Sequence, residues 1–372
     1  MKLAIFTLVE HKIVDGKFYG YAPYVREMNL WTNYVDDVIV VGLKAKDNTV
    51  TDIDLAYSHP NIQFVEVPSF NIKSIKEIFK TLLSFPSIFF KMFKVMKKAD
   101  HLHLRCPSNV SAIAAIVQIF FPRKPKTTKY AGNWNPRSIQ PIGYRFQKAL
   151  LRNTFLTKNM KVLVYGEWKN QTKNVYPFMS ATYHNSERVA HIPRVYNKEL
   201  NFIFIGSMVI GKRPMLTIQI IQGLRDKGYN CKLHMYGDGV LMGELKAYVD
   251  ENELNDVVYL YGNQSKEVVR EAIKKSHFTI LPSKSEGWPK AIAEGMFFGA
   301  IPISTKISCL EWILDYGKRG VLIEAELDAA VFEISKCIEN NDLETMSKLA
   351  QEWSQVYTLD KLDKEIKIAL GL

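Results

Sequence analysis

From end to end the chain alternates short apolar runs of strand type with helical stretches, a pattern that points to parallel sheets wrapped by helices. In the first half KLAIFTL, DVIVVGL, IQFVEVP, HLHLRC, TTKYAG and KVLVYG read as strands. Helices fall between several of them, such as Pro23 to Asn33 and Asn109 to Phe121. In the second half NFIFIG, KLHMYG, VVYLYG, FTILPS, IPISTK and GVLIE read as strands, and two more helices follow Asp328. At 372 residues the chain is longer than one hydrophobic core serves well, and each half has the size of a Rossmann-like unit. The expected architecture is α/β, with two Rossmann-like domains over residues 1–195 and 196–372. The join is expected near HIPRVYNKEL, with the last helix free to pack back on the first domain. Ligands in such a fold belong in a cleft at the carboxyl ends of the strands.

Apolar residues at 47% and charged residues at 23% exclude a disordered chain, a collagen and a small disulfide scaffold. Lysine and arginine number 49 against 38 acids, a net charge of +11, which suits an anionic partner such as a phosphorylated molecule, a lipid headgroup or nucleic acid. Cys106, Cys231, Cys309 and Cys337 are too scattered for a zinc site and read as reduced thiols of a cytoplasmic protein. The apolar run in MKLAIFTLVEHK is too short for a signal peptide, and no window suits a membrane span.

Between Asn71 and Lys98 stand Lys73, Lys76, Lys80, Lys91, Lys94, Lys97 and Lys98 with one acid, Glu77. Phe79, Leu82, Leu83, Phe85, Ile88, Phe89, Phe90 and Phe93 lie among them, and Pro86 is expected to break or kink the helix. A basic helix with a bulky apolar face lies in a membrane interface, or else packs on its own sheet with a solvated lysine face. IFFPRKPK, with Phe120, Phe121, Arg123, Lys124 and Lys126, repeats the pattern.

NFIFIG-SMVIGKRP-MLTIQII reads strand, loop, helix, with Pro214 at the first helical position. Lys212 and Arg213 at a helix N-terminus oppose its dipole unless an anion docks there; the alternative is two solvated cations. Gly206-x4-Gly211-Lys212 is a near miss to a P-loop, because Arg213 stands where the magnesium-binding hydroxyl belongs. In PSKSEGWPKAIAEGMFFG, Pro289 is suited to open a helix that Gly299 ends. Its carboxylate, Glu294, is set among apolar residues and is costly there unless hydrogen-bonded; vicinal hydroxyls of a ligand would satisfy it. Glu286 falls in the loop after strand FTILPS, and Gly287 permits close backbone approach. An internal salt bridge for Glu294 and a solvated loop for Glu286 are the competing readings.

Glu286-x7-Glu294, preceded by Pro282-Ser283, resembles the signature of retaining glycosyltransferases of the GT-B fold, family four. The resemblance covers the second half, from Gly206 and Lys212 through Gly237 and Gly239 to Gly299-Ala-Ile-Pro302. It implies that Glu286 contacts the donor sugar, Glu294 the ribose hydroxyls and Lys212 the diphosphate, with Glu286 and Lys212 the catalytic pair. The implied donor-binding set is Gly206, Lys212, Arg213, Glu286, Gly287, Trp288, Lys290 and Glu294, with Gly20 from the first domain. Ser207 replaces a common arginine, which Arg213 is expected to replace in turn, and Pro289 replaces a common glycine. KYAGNW lacks the histidine many members carry, leaving Asn133 and Trp134 as candidates on the donor-sugar side, with Arg105 facing an anionic acceptor.

Three weaker features are read as structural or open. Asp52-Ile53-Asp54 matches a short metal-binding motif but reads as a solvated loop. His101 and His103 share a strand face without further ligands and read as structural. Gly16 and Gly20 read as a loop before a helix, where Gly20 either admits the diphosphate or serves a plain turn. The leading expectation is transfer of a sugar from a nucleotide-diphosphate donor, UDP- or GDP-linked, to a lipid-linked or polysaccharide-precursor glycan, without an essential metal. An anionic membrane surface at the inner face is the expected setting, and no nucleic acid is expected. A nucleotide hydrolase with a variant P-loop and a basic nucleic-acid-binding protein are the rival readings.

Overall fold

The computed structural model describes residues 1–68, 75–340 and 342–372, with the side chains of 75–83 outside the description. It divides into two compact units, 1–178 with 363–372, and 179–362. The division thus falls after Phe178, ahead of the expected join at 195, and residues 363–372 belong with unit 1.

Unit 1 holds strands β1 (Lys2–Val14), β2 (Lys17–Tyr21), β3 (Asp37–Lys44), β4 (Asp54–Ala56), β5 (Ile62–Glu66), β6 (His101–Cys106), β7 (Lys126–Tyr130), β8 (Met160–Tyr165) and β9 (Val175–Phe178). Its helices are α1 (Ala22–Thr32), α2 (Ile75–Lys98), α3 (Asn109–Val117) and α4 (Ile142–Arg152). Seven strands pair in parallel in the order β5-β3-β1-β6-β7-β8-β9. β1 overruns this sheet and turns back antiparallel as β2, which β4 extends. The turn is Asp15–Gly16, both at positive φ, the two-residue hairpin loop that Asp-Gly favours. Gly20 therefore lies in strand β2, not in a loop before α1. It is buried, and a Cβ there would press on Val25 and Val9 at 3.3 and 3.4 Å, so its small size serves packing.

α2 continues through Pro86 without a break. Proline forfeits one helical hydrogen bond, but Ile88, Met92, Val95 and Met96 form a buried stripe at helical spacing that holds the helix on the sheet. Phe85, Phe89, Phe93 and Phe121 are partly buried and pack against the same core. Phe90 and Phe120 remain exposed. The expectations for Lys73 and for the side chains of Lys76, Glu77, Phe79, Lys80, Leu82 and Leu83 lie outside the described residues.

Unit 2 is a six-stranded parallel sheet ordered β12-β11-β10-β13-β14-β15. The strands are β10 (Leu200–Ile205), β11 (Cys231–Tyr236), β12 (Val258–Leu260), β13 (Phe278–Leu281), β14 (Ile301–Thr305) and β15 (Val321–Ile323). The helices are α5 (Pro214–Asp226), α6 (Met242–Glu251), α7 (Lys266–Lys275), α8 (Lys290–Phe297), α9 (Leu310–Ile313), α10 (Leu327–Asn340), α11 (Leu343–Gln355) and α12 (Leu359–Leu370), the last ending in unit 1. All four cysteines are buried and free. Among the described residues no helix is long and apolar enough to cross a membrane.

At the carboxyl ends of β10 and β11 two loops meet backbone to backbone. Gly206 N–H donates to Tyr236 O at 3.0 Å and Met208 N–H to Asp238 O at 2.9 Å. A Cβ on Gly237, at φ +123°, would stand 2.0 Å from Gly206 O, and one on Gly239 would stand 2.6 Å from Met208 O. These glycines make room for a neighbouring loop. Gly237→Ala is expected to cost at least about 2 kcal/mol, from the left-handed backbone and the clash together. Urea denaturation checks this against Gly243→Ala, in α6 with nothing within 4 Å, which is expected to hold or raise stability by up to about 1 kcal/mol.

Candidate active site

The β10–α5 loop ends in a short 3-10 turn, Ile210–Lys212, and Arg213 then takes a left-handed backbone (φ 54°) as N-cap of α5. That turn aims Lys212 across at the loop after β13, where its Nζ pairs with Glu286 Oε1 at 2.5 Å. Arg213 Nη1 donates to Pro282 O at 3.0 Å and Ser283 O at 3.2 Å, so its guanidinium is bound to the loop carbonyls. These bonds tie Arg213 to the Glu286 loop through Nη1. Lys284 N–H donates to Gly211 O at 2.8 Å, and Thr305 Oγ1 donates to Ser283 O at 2.7 Å. Ser308, itself at φ 50°, donates from Oγ to Gly287 O at 3.2 Å. The segment 282–287 is thus pinned from three directions, leaving Glu286 half-buried with one lysine partner.

Beyond this segment Pro289 is the N-cap of α8, and Gly299, at φ 80°, ends that helix as expected. Gly295 presses on β13, where a Cβ would lie 2.3 Å from Thr279, so α8 rests directly on the sheet. Glu294 is half-buried there, and its Oε1 accepts from Thr182 Oγ1 at 2.7 Å. Burial pushes its carboxyl up from the ordinary value, against the Thr182 hydrogen bond and the charges of Lys290 and Lys266. Lys290 is exposed at the start of α8. Trp288 is buried, its ring 5.6 Å from Tyr357 and 6.3 Å from Trp353. Its side chain anchors the loop in an aromatic cluster.

The unit 1 candidates are likewise engaged within their own unit. Arg105 Nη1 meets Glu27 Oε1 at 2.5 Å, while the fully buried Lys129 meets Glu27 Oε2 at 2.9 Å. Both cations hold the Glu27 carboxyl well below the usual carboxylate range despite its burial. Trp134 is a core residue, edge-on to Tyr130 at 4.9 Å, with Nε1 donating to Gln171 Oε1 at 3.0 Å. Asn133 is half-buried and accepts from Asn135 N–H at 2.8 Å, shaping its own turn. His101 and His103 both meet Thr127 Oγ1, at 3.0 and 2.9 Å, and burial lowers both. Asp54 is paired with Lys12 at 2.6 Å in β4, where a solvated loop was expected. No group of metal-binding side chains occurs among the described residues.

Sequence reasoning missed Glu27, Lys129, Thr182 and Ser308. Glu27 had a signal: it is a carboxylate on the apolar face of α1 beside Tyr24, Met28 and Trp31, the pattern that singled out Glu294. Thr182 and Ser308 had none, since their partners are remote in sequence.

Residues 185–355 match the family described as Glycosyl transferases group 1. An uncharacterized glycosyltransferase of Methanocaldococcus jannaschii is 30% identical over 172 residues, 45% of this chain and 47% of that protein. The capsular polysaccharide biosynthesis glycosyltransferase CapH of Staphylococcus aureus is 24% identical over 238 residues, 60% of this chain and 64% of that one. The chain thus spans between about half and two thirds of the length of these curated relatives. The structure of Anabaena HepE in complex with UDP superposes with a TM-score of 0.68 at 13% identity, covering 100% of both chains. The fold is GT-B, built from two Rossmann-like units, and the segment 185–355 is of glycosyltransferase type.

Glu27→Gln would leave Arg105 and Lys129 buried without their carboxylate, and is expected to destabilise the protein by about 3–5 kcal/mol. Because the folded carboxyl is depressed, its contribution is complete above the ordinary carboxylate range and fades as pH falls through the lower folded value. The wild-type advantage over Glu27→Gln in urea melts should therefore be constant from pH 6 to 8 and shrink progressively as pH falls below about 5.

Proposed function

We propose that this protein transfers a sugar from a UDP- or GDP-linked donor to a hydroxyl of a lipid-linked or polysaccharide-precursor glycan, with retention at the anomeric carbon. The observation that carries the reading is the Lys212–Glu286 pair, a cation and a carboxylate presented together at the strand ends of a parallel sheet. The match over residues 185–355 supports it, as does the likeness to a polysaccharide-assembly enzyme and to a fold solved with UDP. The setting is the cytoplasmic side of a membrane, where such acceptors are built.

In this reading Lys212 leaves Glu286 for the donor diphosphate, and Glu286 is released to orient the sugar hydroxyls. Glu294 accepts from the ribose hydroxyls. The acceptor oxygen bonds to the anomeric carbon on the face from which the diphosphate departs. The acceptor proton passes to the leaving phosphate oxygen. Charge growing on that phosphate is met by Lys212 and by the free amides at the start of α5. No step calls for a metal, so transfer is expected to persist in EDTA.

Three substitutions separate the roles by calorimetry with UDP, GDP and their nucleosides. Lys212→Ala is expected to weaken whichever diphosphate binds by about 10–100-fold, the value of one charge-assisted contact, and to leave the nucleoside unaffected. Glu294→Gln is expected to weaken nucleotide and nucleoside alike without loss of stability, because burial already disfavours the ionised carboxyl. Glu286→Gln is expected to lower turnover while holding or raising diphosphate affinity, since it frees Lys212. Equal effects of Lys212→Ala on nucleoside and diphosphate would overturn the phosphate assignment. Unchanged nucleotide affinity in Glu294→Gln would overturn the ribose assignment.

A further inference from the structure

Between Asp100 and Glu167 the sequence holds eleven lysines and arginines and no aspartate or glutamate. Within that stretch α4 carries Arg145, Lys148 and Arg152, spaced so that all three share one helix face. They line a cavity of about 250 Å³ together with Trp134, Gln140 and Gln171. Among the described residues none of the three has a carboxylate partner. Lys148 stands over the rings of Trp134 and Tyr130 at 5.5 and 5.7 Å, and burial and the nearby charge of Arg152 bring its ammonium down to about 8. Arg152 Nε is buried without a hydrogen-bond partner. A half-buried ammonium beside a half-buried guanidinium, with an exposed arginine on the same helix face and no counter-charge, is an environment an anion would relieve.

The adjoining surface is apolar. Ile139 is fully exposed, Ile142 is 83% exposed and Phe146 is 50% exposed. Ile142 and Phe146 lie one turn apart, beside the cation row of α4. Nucleic acid would account for the cations but leave two isoleucines in contact with water. A lipid surface meets both needs, because phosphate and hydrocarbon lie within a few ångströms of each other in an interface.

We infer that α4 and the loop before it dock the protein on an anionic bilayer, with a lipid phosphate seated among Arg145, Lys148 and Arg152 while Ile139, Ile142 and Phe146 enter the headgroup region. The inference goes beyond the transfer reaction and can fail or hold separately from it. It also places the membrane-facing surface on α4 and not on α2, where among the described residues Ile88, Met92, Val95 and Met96 are taken up by the core.

The test is co-sedimentation of the full chain with vesicles of phosphatidylcholine alone and with 30% phosphatidylglycerol, with thermal melts to verify folding. Binding is expected only to the anionic vesicles. Arg145→Gln, Lys148→Gln and Arg152→Gln together are expected to lower the partition coefficient about 100-fold, each cation near an anionic leaflet being worth roughly fivefold. Ile139→Ser, Ile142→Ser and Phe146→Ser together should remove the part of binding that survives high salt. Lys94→Gln with Lys98→Gln, on α2, should change binding less than the α4 triple. If Lys148→Gln unfolds the protein, Arg145→Gln with Arg152→Gln alone is expected to give about a 25-fold loss. Wild-type protein that ignores anionic vesicles would overturn the inference. So would a greater loss from the α2 pair than from α4, or tighter retention by a soluble polyanion such as heparin than by vesicles. The nucleotide-dependent thermal shift, read in the same samples, reports on the transferase reading alone.

Discussion

A lysine and a glutamate 74 residues apart are held in contact by two loops that have almost no freedom of their own. Lys212 leaves a one-turn helix because Arg213 adopts a left-handed backbone and ties its guanidinium to the opposite loop. Glu286 is held from below by Thr305 and from behind by Ser308, both binding carbonyls of its loop. Gly206, Gly237 and Gly239 let the loops after β10 and β11 close on each other, so the platform under Lys212 is backbone on backbone.

Two carboxylates show how the same burial leads to opposite ends. Glu27 and Glu294 each interrupt an apolar helix face. Glu27 is met by two buried cations and is locked in its charged form. Glu294 has one hydroxyl partner, and its charged form remains disfavoured. The first is a satisfied element of the fold. The second keeps an unmet need for hydrogen-bond donors, which is what a ligand bearing adjacent hydroxyls offers.

Every strand expected from apolar runs is present, because parallel strands buried on both faces leave an unmistakable signal. Lys212, Glu286 and Glu294 were likewise singled out, from their places in the loops and helix starts after those strands and from the family resemblance, but the Lys212–Glu286 contact was not foreseen. Other features were not legible. β1 runs past the apolar run KLAIFTL to Val14, with its register shifting between Phe6 and Glu10 where the parallel sheet gives way to the hairpin; the polar residues of that extension carry no apolar signal, and the Asp15–Gly16 turn lies beyond them. Pro86 suggested a helix boundary, but tertiary packing of the stripe from Ile88 to Met96 outweighed one lost hydrogen bond. Arg105, Arg213, Trp134 and Trp288 were read for their ligand chemistry alone, and the protein partners each also has come from elements remote in sequence. Glu27 lies 78 residues from Arg105, a separation across which sequence carries no pairing information.

Residues 363–372 fold with unit 1, although all of unit 2 lies between them and residue 178. Ile366 and Leu370 are buried, Lys161 donates to Ile368 O at 2.8 Å, and Tyr34 is hydrogen-bonded to Asp363. On a ribosome adding about 5–20 residues per second, unit 2 takes on the order of 10–40 s to emerge. For that interval unit 1 is a nascent domain waiting for its last helical turns, with the surface they cover open to water and to chaperones. The unit made first is the unit completed last, so a chain terminated anywhere within unit 2 yields two unfinished halves and no finished one.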